Sequence, residues 1–202
     1  MPGTDVTHEP PRGIRARRPP LLSEGARVAL VAPAGPLRND DDLTRAIENV
    51  RSFGWEPVVG KHALARSGYF AGSDEQRAAD LNVALRDPSI DAVWCLRGGY
   101  GAMRILPVID YDAAARHPKP IIGYSDITAL HSAFASRSEL VTYHGPTARA
   151  ALTAFSRASL ACALVHGGDS CGAAPGARVL RGGTANGTLA GGNLALLSAL
   201  AG

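Results

Sequence analysis

The segment Ile121-Ile122-Gly123-Tyr124-Ser125-Asp126-Ile127-Thr128 joins a branched apolar run to a helix-forming stretch, with a serine at the junction. A strand that turns directly into a helix thrusts the side chain at the turn into a cleft, and glycine two residues earlier makes room for the crossing backbone. Ser125 is therefore a candidate nucleophile for acyl transfer. Ile127 stands where a nucleophile elbow usually has a second glycine, so the pattern is a partial match. The same residues also fit a plainer role, with the Ser125 hydroxyl capping the helix by accepting a first-turn amide hydrogen.

Upstream lies the glycine-rich loop Leu96-Arg97-Gly98-Gly99-Tyr100-Gly101. Glycines let consecutive amide N–H groups face a ligand, as an oxyanion developing during acyl transfer requires. The backbone amides of Gly99 and Asp126 are the candidate joint donors. Read as a nucleotide loop, the segment fails, because no Gly-Lys-Ser/Thr follows and Arg104 occupies the third glycine position of a dinucleotide fingerprint. A turn without a ligand is the alternative. Gly98, Tyr124 and His144 are candidates for substrate contact.

A serine nucleophile needs a general base and an orienting acid. His8 lies in the leader, His62 and His166 sit away from the strand ends, and His117 precedes a proline. His131 is nearly two helical turns from Ser125 and should project away from it. His144 follows the fifth expected strand at the correct end of the sheet, where it suits a wall residue as well as a base. Cys95, Cys162 and Cys171 show neither CxxC nor CxxH spacing, so neither a disulfide framework nor a zinc site is expected.

These residues need a scaffold, and the pattern around them is that of an α/β domain: a mostly parallel sheet flanked by helices. Strands are expected at 27–32, 55–59, 90–95, 121–124 and 140–143. Helices are expected at 41–53, 74–86 and 103–106, with another opening at Ser125. In such sheets ligands bind outside the carboxyl ends of the strands, where the loops at Gly35, Gly98 and Ser125 lie. Past about residue 174 the texture becomes rich in Gly, Thr and Val, with strand candidates at 178–180 and 188–189 and a helix at 194–200. The expected division is a flexible Pro/Arg-rich tail at 1–22, the nucleophile-bearing domain at 23–172, and at 173–202 a linker and the start of a smaller β-rich domain.

The chain has 202 residues, 46% hydrophobic and 19% charged, with a net charge of +3. Much of that excess sits in the leader, on Arg12, Arg15, Arg17 and Arg18. The nearly neutral remainder lacks the clustered basic surface that drives counterion release, so nucleic acid is not an expected partner. No uncharged apolar window is long enough to cross a bilayer. Arg17-Arg18 is followed by Pro19-Pro20, Glu24 and Arg27, which do not make an export signal. A cytoplasmic location is expected.

Four segments, taken in order, are more specific than any one of them. Leu96 to Gly101 with Arg104 and Leu106-Pro107, then Ile122 to Leu130, then Thr142-Tyr143-His144-Gly145-Pro146, then Gly191-Gly192-Asn193-Leu194 together resemble the LD-carboxypeptidase family. That group contains muramoyltetrapeptide carboxypeptidase and the microcin C self-immunity peptidase. The resemblance implies a serine peptidase with a Ser-Glu-His triad, its nucleophile at Ser125 and its oxyanion hole at Gly99 and Asp126. It further implies removal of the terminal D-alanine from tetrapeptide stems of recycled cell wall, without metal or organic cofactor, by a cytoplasmic homodimer.

The family's glutamate follows the Gly-Gly-Asn-Leu segment in a Leu-Glu-Asp type motif, and its histidine lies farther on in a Gly-His context. Neither is present before Gly202. Without a base the Ser125 hydroxyl stays protonated, so this chain is expected to be nearly inactive, with apolar surface around residues 178–200 left uncovered. Two other functions fit the same residues: a non-catalytic peptide-binding fragment, and a self-immunity peptidase acting on an aminoacyl-nucleotide antibiotic.

Overall fold

Val28, Ala29, Leu30 and Val31 are all buried. A strand with no wet face belongs in a parallel sheet between two helical layers, and β1 (Arg27–Val31) takes that place. The computed structural model describes residues 16–168, 172–184 and 186–201. In chain order the elements after β1 are α1 (Asp40–Arg51), β2 (Glu56–Val59), α2 (Asp74–Arg86), β3 (Ala92–Cys95), α3 (Ala102–Ile105) and α4 (Tyr111–Arg116). They continue with β4 (Ile121–Gly123), α5 (Thr128–Ser138), β5 (Tyr143–His144), α6 (Ala154–Leu164) and α7 (Leu194–Leu200).

The five strands pair in the order β2-β1-β3-β4-β5, all parallel. Alternate residues feed two cores. Ala29, Val31, Val93 and Ile121 pack with Leu81, Leu85, Leu130 and Phe134 of α2 and α5. Val28, Leu30, Trp94 and Ile122 pack with Ala46, Val50, Leu160 and Leu164 of α1 and α6. On that second face Trp94 meets Phe53 and Trp55 edge-on, and its Nε1 donates to the Pro146 carbonyl at 2.8 Å. This bond fixes the loop after β5 against the sheet centre.

Local sequence explains the helix starts. Asn39 caps α1, and Ser73 with Gln76 forms a reciprocal capping box at α2. Two helices escape the periodicity reading, α4 and α6. Each opens on a short polar cap, Asp110 or Thr153, that accepts from the amide three residues on.

Other expectations need correction. Residues 16–22, expected within a flexible tail, are docked. Arg17 exchanges backbone hydrogen bonds with Glu139 and Val141, the Leu22 amide donates to Leu164, and Leu22 is buried. Their apolar residues find a groove that a count of prolines does not reveal. The remainder of that tail, residues 1–15, lies outside the described residues, as does Cys171. The fifth strand is Tyr143–His144 rather than 140–143, with Leu140 held in an isolated bridge to Arg17. No strand forms at 178–180 or 188–189. Val179, Leu180 and Leu189 are exposed, and no neighbouring strand offers them a ladder. The expected β-rich start therefore carries no strand among the described residues, whereas α7 occupies the expected span.

Candidate active site

The strand order reverses direction between β1 and β3, and crevices at such points are where open α/β sheets bind ligands. Here the two loops touch. The Gly35 amide donates to the Gly98 carbonyl at 2.9 Å, and a Cβ on Gly99 would lie 3.0 Å from the Gly35 Cα. Only glycines allow this approach. Because the peptide is trans, pinning the Gly98 carbonyl toward Gly35 turns the Gly99 N–H to the opposite side.

Ser125 sits two residues beyond the end of β4 with φ +63°, the left-handed region that a serine enters at a cost. It opens a single 3-10 turn, Ser125–Ile127, before α5. The Ser125 side chain caps neither this turn nor α5, so the capping role is excluded. Among the described residues its Oγ has no hydrogen-bond partner. The glycine loop lies directly against it: a Cβ on Gly98 would fall 2.9 Å from the Ser125 Cβ and 3.3 Å from its Oγ.

The amides of Gly99 and Asp126 likewise meet no acceptor among the described residues, so both remain available as donors. Their positions are fixed from behind. Asp126 is buried, and its Oδ2 accepts the Ala102 amide at 2.8 Å. Burial pushes this carboxyl above the usual range, opposed by the Ala102 amide and by Arg77. Arg77, also buried, donates through one nitrogen to Pro33 O at 2.6 Å and to Gly101 O at 2.9 Å, and pairs with Asp74. Its guanidinium lies 5.0 Å from the centre of the Phe70 ring. One buried cation thus clasps the loops after β1 and β3 together. Neither side-chain role was visible from residue spacing, because the partners are 24 to 44 positions away.

Tyr124, His144, Gly145, Pro146 and Ala150 line a cavity of about 350 Å³ beside the serine. The Tyr124 and His144 rings are 6.5 Å apart. His144 is the last residue of β5, paired with Gly123, so it forms a wall. His131 is buried, with Nε2 against the Gly123 carbonyl at 2.9 Å, and burial lowers its pKa to about 4. Its ring lies 5.9 Å from that of His144, and its Nε2 is committed to Gly123 rather than to the serine hydroxyl. No histidine or carboxylate bonds Ser125 Oγ among the described residues. They also contain no cluster of His, Cys, Asp and Glu that fits a metal ion, and no helix long and apolar enough to cross a membrane.

The stretch of chain that carries this arrangement is similar in sequence and fold to known proteins. Residues 28–145 match the model of the LD-carboxypeptidase N-terminal domain. The chain belongs to the LD-carboxypeptidase family. It is 46% identical over 123 residues to the murein tetrapeptide carboxypeptidase of Pseudomonas aeruginosa, covering 60% of this chain and 39% of that protein. The microcin C7 self-immunity protein MccF of Escherichia coli is 35% identical over 102 residues, covering 50% and 30%.

Among solved structures, an MccF-like protein of Bacillus anthracis superposes with a TM-score of 0.70 at 28% identity, over 74% of this chain and 47% of that one. The muramoyltetrapeptide carboxypeptidase of Oxalobacter formigenes does so with a TM-score of 0.61 at 29% identity, over 68% and 47%. This chain spans 39% to 43% of the length of the curated relatives it matches first. The family match ends at residue 145, so α6 and α7 lie beyond it.

Proposed function

We propose that this chain carries the nucleophile and the oxyanion hole of a serine-type LD-carboxypeptidase that releases the terminal D-alanine from muropeptide tetrapeptides during cytoplasmic peptidoglycan recycling. The observation that carries this reading is the uncapped Ser125, held at φ +63° under Gly98. A purely structural serine has no need of that strained backbone.

On this reading Ser125 Oγ adds to the carbonyl carbon of the scissile amide, and the N–H groups of Gly99 and Asp126 stabilise the oxygen as it becomes negative. The hydroxyl proton passes to a base and then to the leaving amine of D-alanine, and water resolves the acyl-enzyme. No such base bonds Ser125 Oγ among the described residues. We place the base, with its orienting glutamate, in the part of the relatives' length that this chain does not span. The 202 residues alone should then turn over only slightly, since donors without a base retain a small part of the rate.

Mass spectrometry of a cell-wall tetrapeptide incubated with the chain, alone and with the carboxyl-terminal portion of a full-length relative, tests this. D-Alanine release on complementation, abolished by Ser125→Ala, is expected. An alanine variant as active as its parent removes Ser125 as the nucleophile.

A further inference from the structure

Arginines gather where the loops after β1, β3 and β5 converge. Arg149 lies 3.3 Å from Asp42, Arg38 lies 3.4 Å from it, and Arg45 lies 3.8 Å from it. Arg97 donates to the Pro36 carbonyl and Arg66 to the Leu37 carbonyl. One carboxylate thus serves three guanidinium groups. Asp40 and Asp41 beside it are exposed and form no ion pair among the described residues. Crowding of like charge is felt at Arg97, whose pKa is lowered by burial first and then by Arg149 and Arg38. Arg149 Nε is buried with no acceptor, a donor that a bound anion would satisfy.

The cluster sits on the loops that flank the serine-bearing turn. Arg97 immediately precedes Gly98. Arg149 stands between Ala148, whose amide is bonded to the Cys95 carbonyl at the end of β3, and Ala150, which lines the cavity beside Tyr124. We propose that Arg149, with Arg97 and Arg38, forms an anion subsite that receives the free carboxylate of the substrate's last residue. This deepens the peptidase reading and rests on it. An enzyme that removes only terminal residues must sense that carboxylate, and a guanidinium fork matches its two oxygens. Asp42 keeps the arginines in place while the site is empty.

The test is a titration of the 202-residue chain, followed through backbone amides and arginine Nε–H resonances. The probes are N-acetyl-L-lysyl-D-alanine and its carboxyl-terminal amide. The acid should bind at least tenfold more tightly than the amide and shift the Arg149 Nε–H. Arg149→Met should abolish the preference. Arg149→Lys, which preserves the charge beside buried Asp42 and so protects the fold, should lose most of it. Equal affinities for acid and amide, or a preference that survives both variants, overturn the subsite. If both probes still shift the Ser125 amide, the peptidase reading stands without the subsite. If neither does, both fall.

Discussion

The carboxylate of Asp126 accepts the amide hydrogen of Ala102 at 2.8 Å, bonding the serine-bearing turn to the helix that follows the glycine loop. On the proposed reading the same residue offers its backbone N–H to the oxyanion, while its side chain holds the opposite wall. Asp126→Ala leaves the buried Ala102 amide without an acceptor, at a cost of about 1–3 kcal/mol. Asp126→Asn retains an acceptor oxygen and should lose less than half as much. Urea denaturation reads the stability, and hydrogen exchange at Ala102 reads the bond itself, faster in the alanine variant only. Equal losses in both variants would assign the effect to the carboxylate's charge instead.

Ser125 stores strain at φ +63°. Glycine adopts that conformation freely, whereas alanine does not. Ser125→Gly should therefore stabilise the fold by about 0.5–1 kcal/mol, while Ser125→Ala, still carrying a Cβ, should leave it nearly unchanged. A stability gain at a site where function is lost is the signature of a backbone held for chemistry. Thermal melting of the two variants decides it; no gain with glycine would mean that the turn is relaxed as it stands.

Much of this was legible in sequence because the cause was local. The bounds of α2 follow from its Ser73–Gln76 capping box and helical periodicity, and the sheet from buried runs such as Val28 to Val31. Ser125, Gly98 and Gly99 follow from residue types that only a strained turn or a close approach requires. The clasp by Arg77, the Asp126 side-chain bond and the arginine cluster were not legible. Each depends on which loops the strand order brings together, and an arginine fixed on two carbonyls reads in sequence like any solvated one. The strand candidates at 178–180 and 188–189 misled for the complementary reason. β-branched residues favour an extended chain, but a strand exists only where a partner pairs with it.

His131 gives the fold a pH dependence of predictable sign. Its Nε2–H is committed to the Gly123 carbonyl and its Nδ1 has no partner, so a second proton would be buried without an acceptor. Its pKa is accordingly lowered from 6.5 to about 4. Between those values the unfolded chain binds a proton that the folded chain refuses, so stability rises with pH across the window. The contribution, on the order of 3 kcal/mol, is complete above pH 6.5 and lost as pH falls toward 4. His131→Gln, which still donates to Gly123 O, should flatten the change seen by urea denaturation between pH 7 and pH 4.5. A variant with the parent's slope would move the effect to another group.

The last helix is held at the elbow by one glycine. Gly192 has φ +147°, and a Cβ there would collide with the Thr128 side chain at the start of α5. That contact lets the Asn193 amide donate to Thr128 Oγ1 at 2.9 Å, and it seats Leu196 against the core. Gly192→Ala should break the contact and release α7, while the sheet and its two cores, built without α7, keep their stability to within about 1 kcal/mol. Limited proteolysis separates the two effects. Cleavage within residues 178–200 should accelerate severalfold in the variant while the main body survives. If cleavage there is no faster, α7 is held by its leucines rather than by its approach to Thr128. In that case Leu196→Ser, which removes the side chain seated against the core, becomes the change that frees it.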